Sequence, residues 1–493
     1  MKLLAFLITV TVMLLGSIKP AYAVEFDELE LAMPFSISQT PLFADVHSNP
    51  GKELVLIGSG AGDTHQIAIV GIAQNKLVTL DSFAIAKRYF AFDVLDNPST
   101  ESSALFFMAN DHIAAYRFPL DGNAPRLEKY LDIDSFYRIT QSNYLAKLDF
   151  IDDLNLDGEA DVRLPNFEYY SVWLSKKTSQ HKHHKLPIAS EASLVRRTLE
   201  VQQPNLAEVK GQTPSVFFST KGKIQHYVLG KNLFEKKDII VSESIHGLNW
   251  WDVLDDSGQS LDQSKLSHRV VETIKDVNGD EIVDLVVRYT QSSGALERRN
   301  DYEVYFGSVD KNGLSFTEKP STVIASEGTL TDLLLEDLNG DKKLEVVVSS
   351  FEISVSQIVS ALLSGSIDQD VLVYRQDAMG EFSKKPAASF ETEMHFSLSK
   401  GRAGQPLVAV ADVNGDGLKD LLMTANNEEV RVRTANSTGK FNKVVRVKTT
   451  VPKSGNNIKM QDLNGDGRFD IIMVYDRLDE DSKLTLLKVL MAK

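Results

Sequence analysis

The sequence of 493 residues contains no cysteine and only three tryptophans. Without cysteine there is no disulfide framework, no thiolate metal site, no thiol nucleophile and no lipid-modified cysteine anchor. Long apolar runs are missing too. After the start of the chain, no stretch approaches the roughly 18 apolar residues that a membrane helix needs, so no membrane span is expected. The one apolar run, Leu3 to Gly16, is too short to cross a bilayer comfortably. It follows Met-Lys and leads to Ala21-Tyr22-Ala23, which reads as a secretory signal peptide over residues 1–23. Amphipathic helical patterning is confined to ISVSQIVSALL, where Ile353, Ile358, Val359, Leu362 and Leu363 can share one face. Basic charge is in short supply, with 53 Lys and Arg against 68 Asp and Glu and a formal charge of −15. Removing Lys2 and Lys19 with the signal takes this to −17, which makes nucleic acid a poor partner. The expected mature chain begins near Val24, is periplasmic or extracellular, and is held by its core or by metals.

The acidity that is present is concentrated. Asp412, Asn414, Asp416 and Asp420 occupy positions 1, 3, 5 and 9 of DVNGDGLKD, and an apolar run follows at once. The pattern recurs at Asp153, Asn155, Asp157 and Asp161, and again at Asp276, Asn278, Asp280 and Asp284. Two further copies stand at Asp337, Asn339, Asp341 and Glu345, and at Asp462, Asn464, Asp466 and Asp470. Oxygen-bearing side chains at alternating positions, with glycine to permit a tight turn, suit a hard cation such as Ca²⁺. An EF-hand begins in the same way but needs a glutamate at position 12 and flanking helices. Position 12 is here Leu164, Val287, Val348, Met423 or Met473, each inside a strand-like run. Asp-Asn-Gly turns alone would explain the Asn-Gly pairs, but not an acid at position 9 in every copy.

Each loop opens a unit of short runs bounded by turn residues, as in LLMT, EVRVRTA and FNKVVRV after Asp412. Weaker copies surround the strong ones. Asp45, His47, Asn49 and Glu53 form a partial loop, and the units near residues 93 and 208 have lost the acids. The units begin near residues 45, 93, 153, 208, 276, 337, 412 and 462. The last lacks a fourth strand, and residues 26–38 are left over to supply it and close a ring. The fold class expected is all-β, a β-propeller of four-stranded blades closed by an N-terminal strand. Eight blades are favoured, with seven if one weak unit is an insertion.

These repeats resemble the FG-GAP/VCBS family, which also builds integrin α-subunit propellers, over nearly all of the mature chain. The resemblance implies calcium in the loop D-x-D/N-x-D/N-G-x-x-D, at about five sites here. The position-7 carbonyl of Glu159, Ile282, Lys343, Leu418 or Arg468 would add an oxygen to each. Integrin-type propellers have seven blades, so an eighth unit is a departure.

Ligand-binding candidates fall in insertions near 242–268 and 352–366, and near 290–300. Trp250 and Trp251 could stack on sugar rings, and Arg298 and Arg299 could hold an anion. His181, His183 and His184 read as a polar turn. The function expected is a binding module for a protein or carbohydrate ligand on one propeller face, with oligomeric state open. One rival is a lyase-like enzyme, since some rhamnogalacturonan lyases are calcium-containing eight-bladed propellers, although no catalytic motif matches. Another is a structural subunit of a surface or periplasmic assembly.

Overall fold

The computed structural model describes residues 24–493 apart from 48–50, 60–61, 63, 97–103, 120–124, 138, 140–141, 177–180, 190–191, 196–197, 210–212, 231–233, 247–266, 295–297, 353–364 and 398–401. The signal peptide, Asn49, Trp250, Trp251 and the amphipathic stretch at 353–363 therefore lie outside the described residues.

The second and third strands of most units are continuous apolar runs, because both of their faces are covered. Leu105–Met108 and His112–Tyr116 are buried at every position, as are Asp161–Pro165 and Tyr170–Leu174. An alternating pattern survives where one face meets solvent, as in the fourth strand Lys182–Leu186. Strands of this kind associate as eight small antiparallel sheets that form an eight-bladed β-propeller. Blade 1 comprises Leu42–Ala44, Glu53–Ser59, Thr64–Ala73 and Lys76–Ala86. Blade 7 comprises Val408–Ala411, Asp420–Asn426, Glu429–Arg433 and Val445–Lys448. Blades 2, 5 and 6 each gain a fifth strand. In blades 2 and 5 it runs parallel to the first strand, as Ala146–Lys147 and Ile245–His246. In blade 6 it is the outer strand Arg402–Gly404.

The core is divided in the same way. Eight apolar clusters lie one between each pair of neighbouring blades and run without a gap from blade 1 round to blade 8. The closing cluster joins Leu54, Leu56, Ala68 and Val70 of blade 1 to Ile472, Val474, Leu487 and Val489 of blade 8. The seven-blade alternative is thereby removed.

Blade 8 is completed from the other end of the chain. Ile458–Gln461, Asp470–Met473 and Leu486–Ala492 supply three strands, and Phe26–Ala32 pairs antiparallel with the third as the outer fourth. Lys488 is 4% exposed and bridges Glu28 at 2.9 Å and Glu30 at 3.1 Å, so the closing strand also neutralises a buried ammonium.

Two details depart from the sequence reading. In blade 5 the runs after Asp276 predict SFTEKP, residues 315–320, as the fourth strand, whereas Gly307–Asp310 and Gly313–Phe316 make a separate hairpin and Thr322–Ile324 is the fourth strand. QHKHH is not a turn, because His183 and His184 belong to strand Lys182–Leu186. His183 stacks on Trp173 with ring centroids 4.4 Å apart, while His181 meets Tyr130 edge-on at 4.7 Å. A chain beginning at Met33 would leave Lys488 with only the Thr449 hydroxyl and neither carboxylate, a loss of about 3–5 kcal/mol for a buried charge, and would bare an apolar strand edge. Such a chain is expected to melt well below the full protein and to self-associate in sedimentation. An unchanged melt would contradict the closure.

Candidate functional site

Strand direction alternates within a blade. Connections between first and second strands, and between third and fourth, therefore emerge on one face of the ring, and the remaining connections on the other. All five acidic loops join a first strand to a second and so share one face. The described ends of the sequence-predicted ligand segments 242–268, 290–300 and 352–366 lie where a fourth strand leaves for the next blade or a second strand for a third, which is the opposite face.

Each loop is wound by its own acids. In blade 7, Asp412 Oδ1 accepts from Gly415 N at 2.7 Å and Oδ2 from Gly417 N at 2.7 Å. Asn414 Oδ1 accepts from Asp416 N, and Asp416 Oδ1 from Leu418 N. Asp276, Asp337 and Asp462 wind their loops in the same manner, and Asp153 holds Asp157 and Gly158. Positions 4 and 6 are left-handed in every copy. Glycine fills both in blades 7 and 8, whereas Leu156, Glu281 and Lys342 adopt φ of 58°, 66° and 71°. Such angles are unfavourable for side chains of this kind, and the bonds to the position-1 carboxylate help to hold them.

The position-9 carboxylate lies beneath the loop and is buried in all five copies, at 0–3% exposure. One of its oxygens accepts from the position-2 N–H: Leu154 to Asp161, Val277 to Asp284, Leu338 to Glu345, Val413 to Asp420 and Leu463 to Asp470. The other oxygen of the four aspartates reaches the end of the third strand, at Ala492, or just past it, at the N–H of Ser175, Gly307 or Ala435. Glu345 instead holds Asn339 Nδ2. Burial pushes these carboxyls up, and repulsion from neighbouring loop carboxylates adds to it, while the N–H bonds oppose both. Asp161 and Asp420 rise to about 7, Asp284 and Asp470 to about 6, and Glu345 also rises.

The donor set fits a hard cation in kind: it is all oxygen, and its carboxylates are close enough to repel one another. Among the described residues, however, no three His, Asp or Glu side chains converge into a group that could hold a metal. The carboxylates are turned onto the N–H groups of the loop. The partial loop of blade 1 retains the lower half of the design. Glu53 Oε2 accepts from Val46 N and His47 N, while His47 packs edge-on against Phe118. Blade 2 substitutes a different clamp, with buried Asp93 accepting from Phe150 N, Ile151 N and Lys147 Nζ.

A cleft of about 1510 Å³ lies along blade 6 where it meets blade 5, and sequence reasoning did not find it. Arg299 is on its wall and is ion-paired with Asp301 at 3.1 Å, while Arg298 is not among the lining residues. Asp368 and Asp370 face the cleft beside Glu393 and Glu391, their direct cross-strand partners. Like charges set directly opposite each other are unfavourable. The signal in the sequence was the alternation DQD and ETE, in two strands whose pairing could not be read in advance.

The position-9 bonds generate a direct test. Asp420→Ala leaves two buried N–H groups unpaired, at about 1–3 kcal/mol each. The expected loss is therefore about 2–6 kcal/mol by denaturant titration in chelator, with Asp420→Asn losing less. A loss under about 0.5 kcal/mol, the range of an ordinary surface substitution, would contradict the bracing role.

Residues 412–473, from the loop of blade 7 into the second strand of blade 8, match the FG-GAP-like repeat family. No curated protein matches the chain. Among solved structures, a protein from Lactobacillus plantarum is 13% identical, with 70% of this chain and 83% of that chain covered at a TM-score of 0.35. Apo AztD from Citrobacter koseri is 9% identical, with 87% and 96% covered at 0.34. A putative 6-phosphogluconolactonase from Bacteroides fragilis is 10% identical, with 86% and 96% covered at 0.31. The matched segment begins and ends with the two loops that carry glycine at both left-handed positions. The chain is an eight-bladed β-propeller that carries an FG-GAP-like repeat across blades 7 and 8.

Proposed function

We propose that this protein is an exported, calcium-braced β-propeller that acts as a binding module, taking a protein or carbohydrate ligand away from its metal-loop face. The observation that carries the reading is the separation of faces: five copies of one acidic loop on one side, and the described ends of the insertions singled out in the sequence on the other. A rigid scaffold with variable loops on one face is the usual arrangement for recognition. Calcium would be held by the acids at positions 1, 5 and 9, the asparagine at position 3 and the position-7 carbonyl. It would supply the positive charge that three mutually repelling carboxylates per loop lack. The reading of residues 1–23 as a signal peptide supports export.

Between the two ligand classes, the blade 5–6 cleft favours a basic protein segment. Asp368, Asp370, Glu391 and Glu393 engage in no ion pair among the described residues; with Glu327 and Glu352 they outnumber the basic lining residues Arg299, Lys384, Lys385 and Arg431, and would repel a uronate-rich glycan. Arg299, the residue best suited to a uronate, is already shared with Asp301.

Residues 24–493 are expected to melt higher in Ca²⁺ than in chelator, with Mg²⁺ giving little of the effect because it demands a tighter octahedron. Identical melts in all three would remove the calcium reading. For the ligand, peptide and glycan arrays should return basic peptides whose binding is weakened by Asp370→Lys together with Glu391→Lys. Capture of acidic glycans that survives both substitutions would contradict the choice.

A further inference from the structure

The acidic loops of blades 5 to 8 are bonded to one another. Leu344 N donates to Val277 O at 3.0 Å, Lys419 N to Leu338 O at 3.4 Å and Phe469 N to Asp412 O at 2.8 Å. In each case the position-8 N–H of one loop meets the position-1 or position-2 carbonyl of the loop before it. The contact is close between blades 5 and 6 and between blades 7 and 8, and looser between blades 6 and 7, where a Cβ on Gly340 would lie 3.8 Å from Leu418 Cδ2. A Cβ added to Gly279 would lie 2.9 Å from Lys342 O, and one added to Gly415 would lie 3.1 Å from Arg468 Cγ. In blade 1, a Cβ on Gly51 would lie 2.4 Å from Leu463 O, so the chain of contacts runs on to the partial loop.

The loop of blade 3 stands outside this chain. Blades 2 and 4 on either side have lost their acids, and its position 4 is Leu156, 58% exposed. Leu156 shows that position 4 tolerates a side chain at positive φ. Glycine at Gly279 and Gly415 therefore answers to the neighbouring loop as well as to backbone angle.

The bonds between loops connect groups that would touch the metals. The position-8 N–H belongs to the same peptide unit as the position-7 carbonyl, the proposed ligand. Its acceptor carbonyl belongs to a peptide unit whose own N–H donates to an acid of the preceding loop: Asn278 N to Asp284 at 3.3 Å, Asn339 N to Asp337 at 3.2 Å and Val413 N to Asp420 at 3.2 Å. Chains of this kind polarise one another, and ordering one loop lowers the cost of ordering the next.

We infer that the loops of blades 5 to 8 take up cations as one coupled array, whereas the loop of blade 3 binds alone; this rests on the calcium reading above. The test is a calcium titration of residues 24–493 by calorimetry, alongside Asp466→Asn in blade 8 and Asp157→Asn in blade 3. Wild type should titrate more steeply than independent sites allow. Asp466→Asn should raise the calcium midpoint of the surviving blade 5–7 sites about 5-fold or more and flatten the curve. Asp157→Asn should remove one site and leave the remaining midpoints unchanged. If each variant merely deletes one site, or if Asp157→Asn weakens the others equally, the array is overturned while the calcium reading stands. If calcium produces neither heat nor a shift in the melt, both fall. Should Asp466→Asn fail to fold, the wild-type curve decides: a non-cooperative isotherm overturns the array.

Discussion

A carboxylate buried beneath each acidic loop is what the rest of the acidic-loop face depends on. Its oxygens are consumed by N–H groups, one at the start of the loop and, in the four aspartates, another at the end of the third strand or just past it. Burying a charge in this way is costly unless hydrogen bonds and counter-charge repay it. The hydrogen bonds are present at Asp161, Asp284, Asp420 and Asp470, yet their carboxyls remain pushed up to about 6 or 7. A cation, as proposed, would supply the counter-charge that these carboxylates lack.

The same residue ties local winding to global shape. It holds together the first, second and third strands of its blade, and the loop above it contacts the next blade. Blades without such a loop use other devices. In blade 2, Asp93 and Lys147 bind the first strand to the connection entering blade 3. The ring is closed by pairing Phe26–Ala32 with the last strand, and apolar packing between every pair of blades makes it continuous.

Much of this was legible in the sequence. The nine-residue loops, the strand runs after them and the leftover N-terminal segment sufficed to favour eight blades over seven and to place the closure, since each rests on local spacing. The failures were those that local spacing cannot reach. The fourth strand of blade 5 lies beyond an inserted hairpin, and QHKHH reads as a turn until its pairing with the Tyr170–Leu174 strand is known. The cleft beside blade 6 depends on cross-strand register, which sets Asp368 against Glu393 and Asp370 against Glu391. The chain of bonds between loops depends on neighbours 50 to 75 residues apart in sequence, and was equally hidden. Position 4 gave a hint, being glycine at residues 279, 340, 415 and 465 but leucine at 156.

The central claim is that the acidic loops are cation sites and not only turns. It is tested most directly by counting calcium in the folded protein, by native mass spectrometry of residues 24–493 equilibrated with Ca²⁺ and then with Mg²⁺. Five tightly held calcium ions, falling to four in Asp157→Asn, whose loop stands apart from the others, are the expected result. A folded chain that retains no calcium would contradict the claim and leave the buried carboxylates as structural acceptors alone.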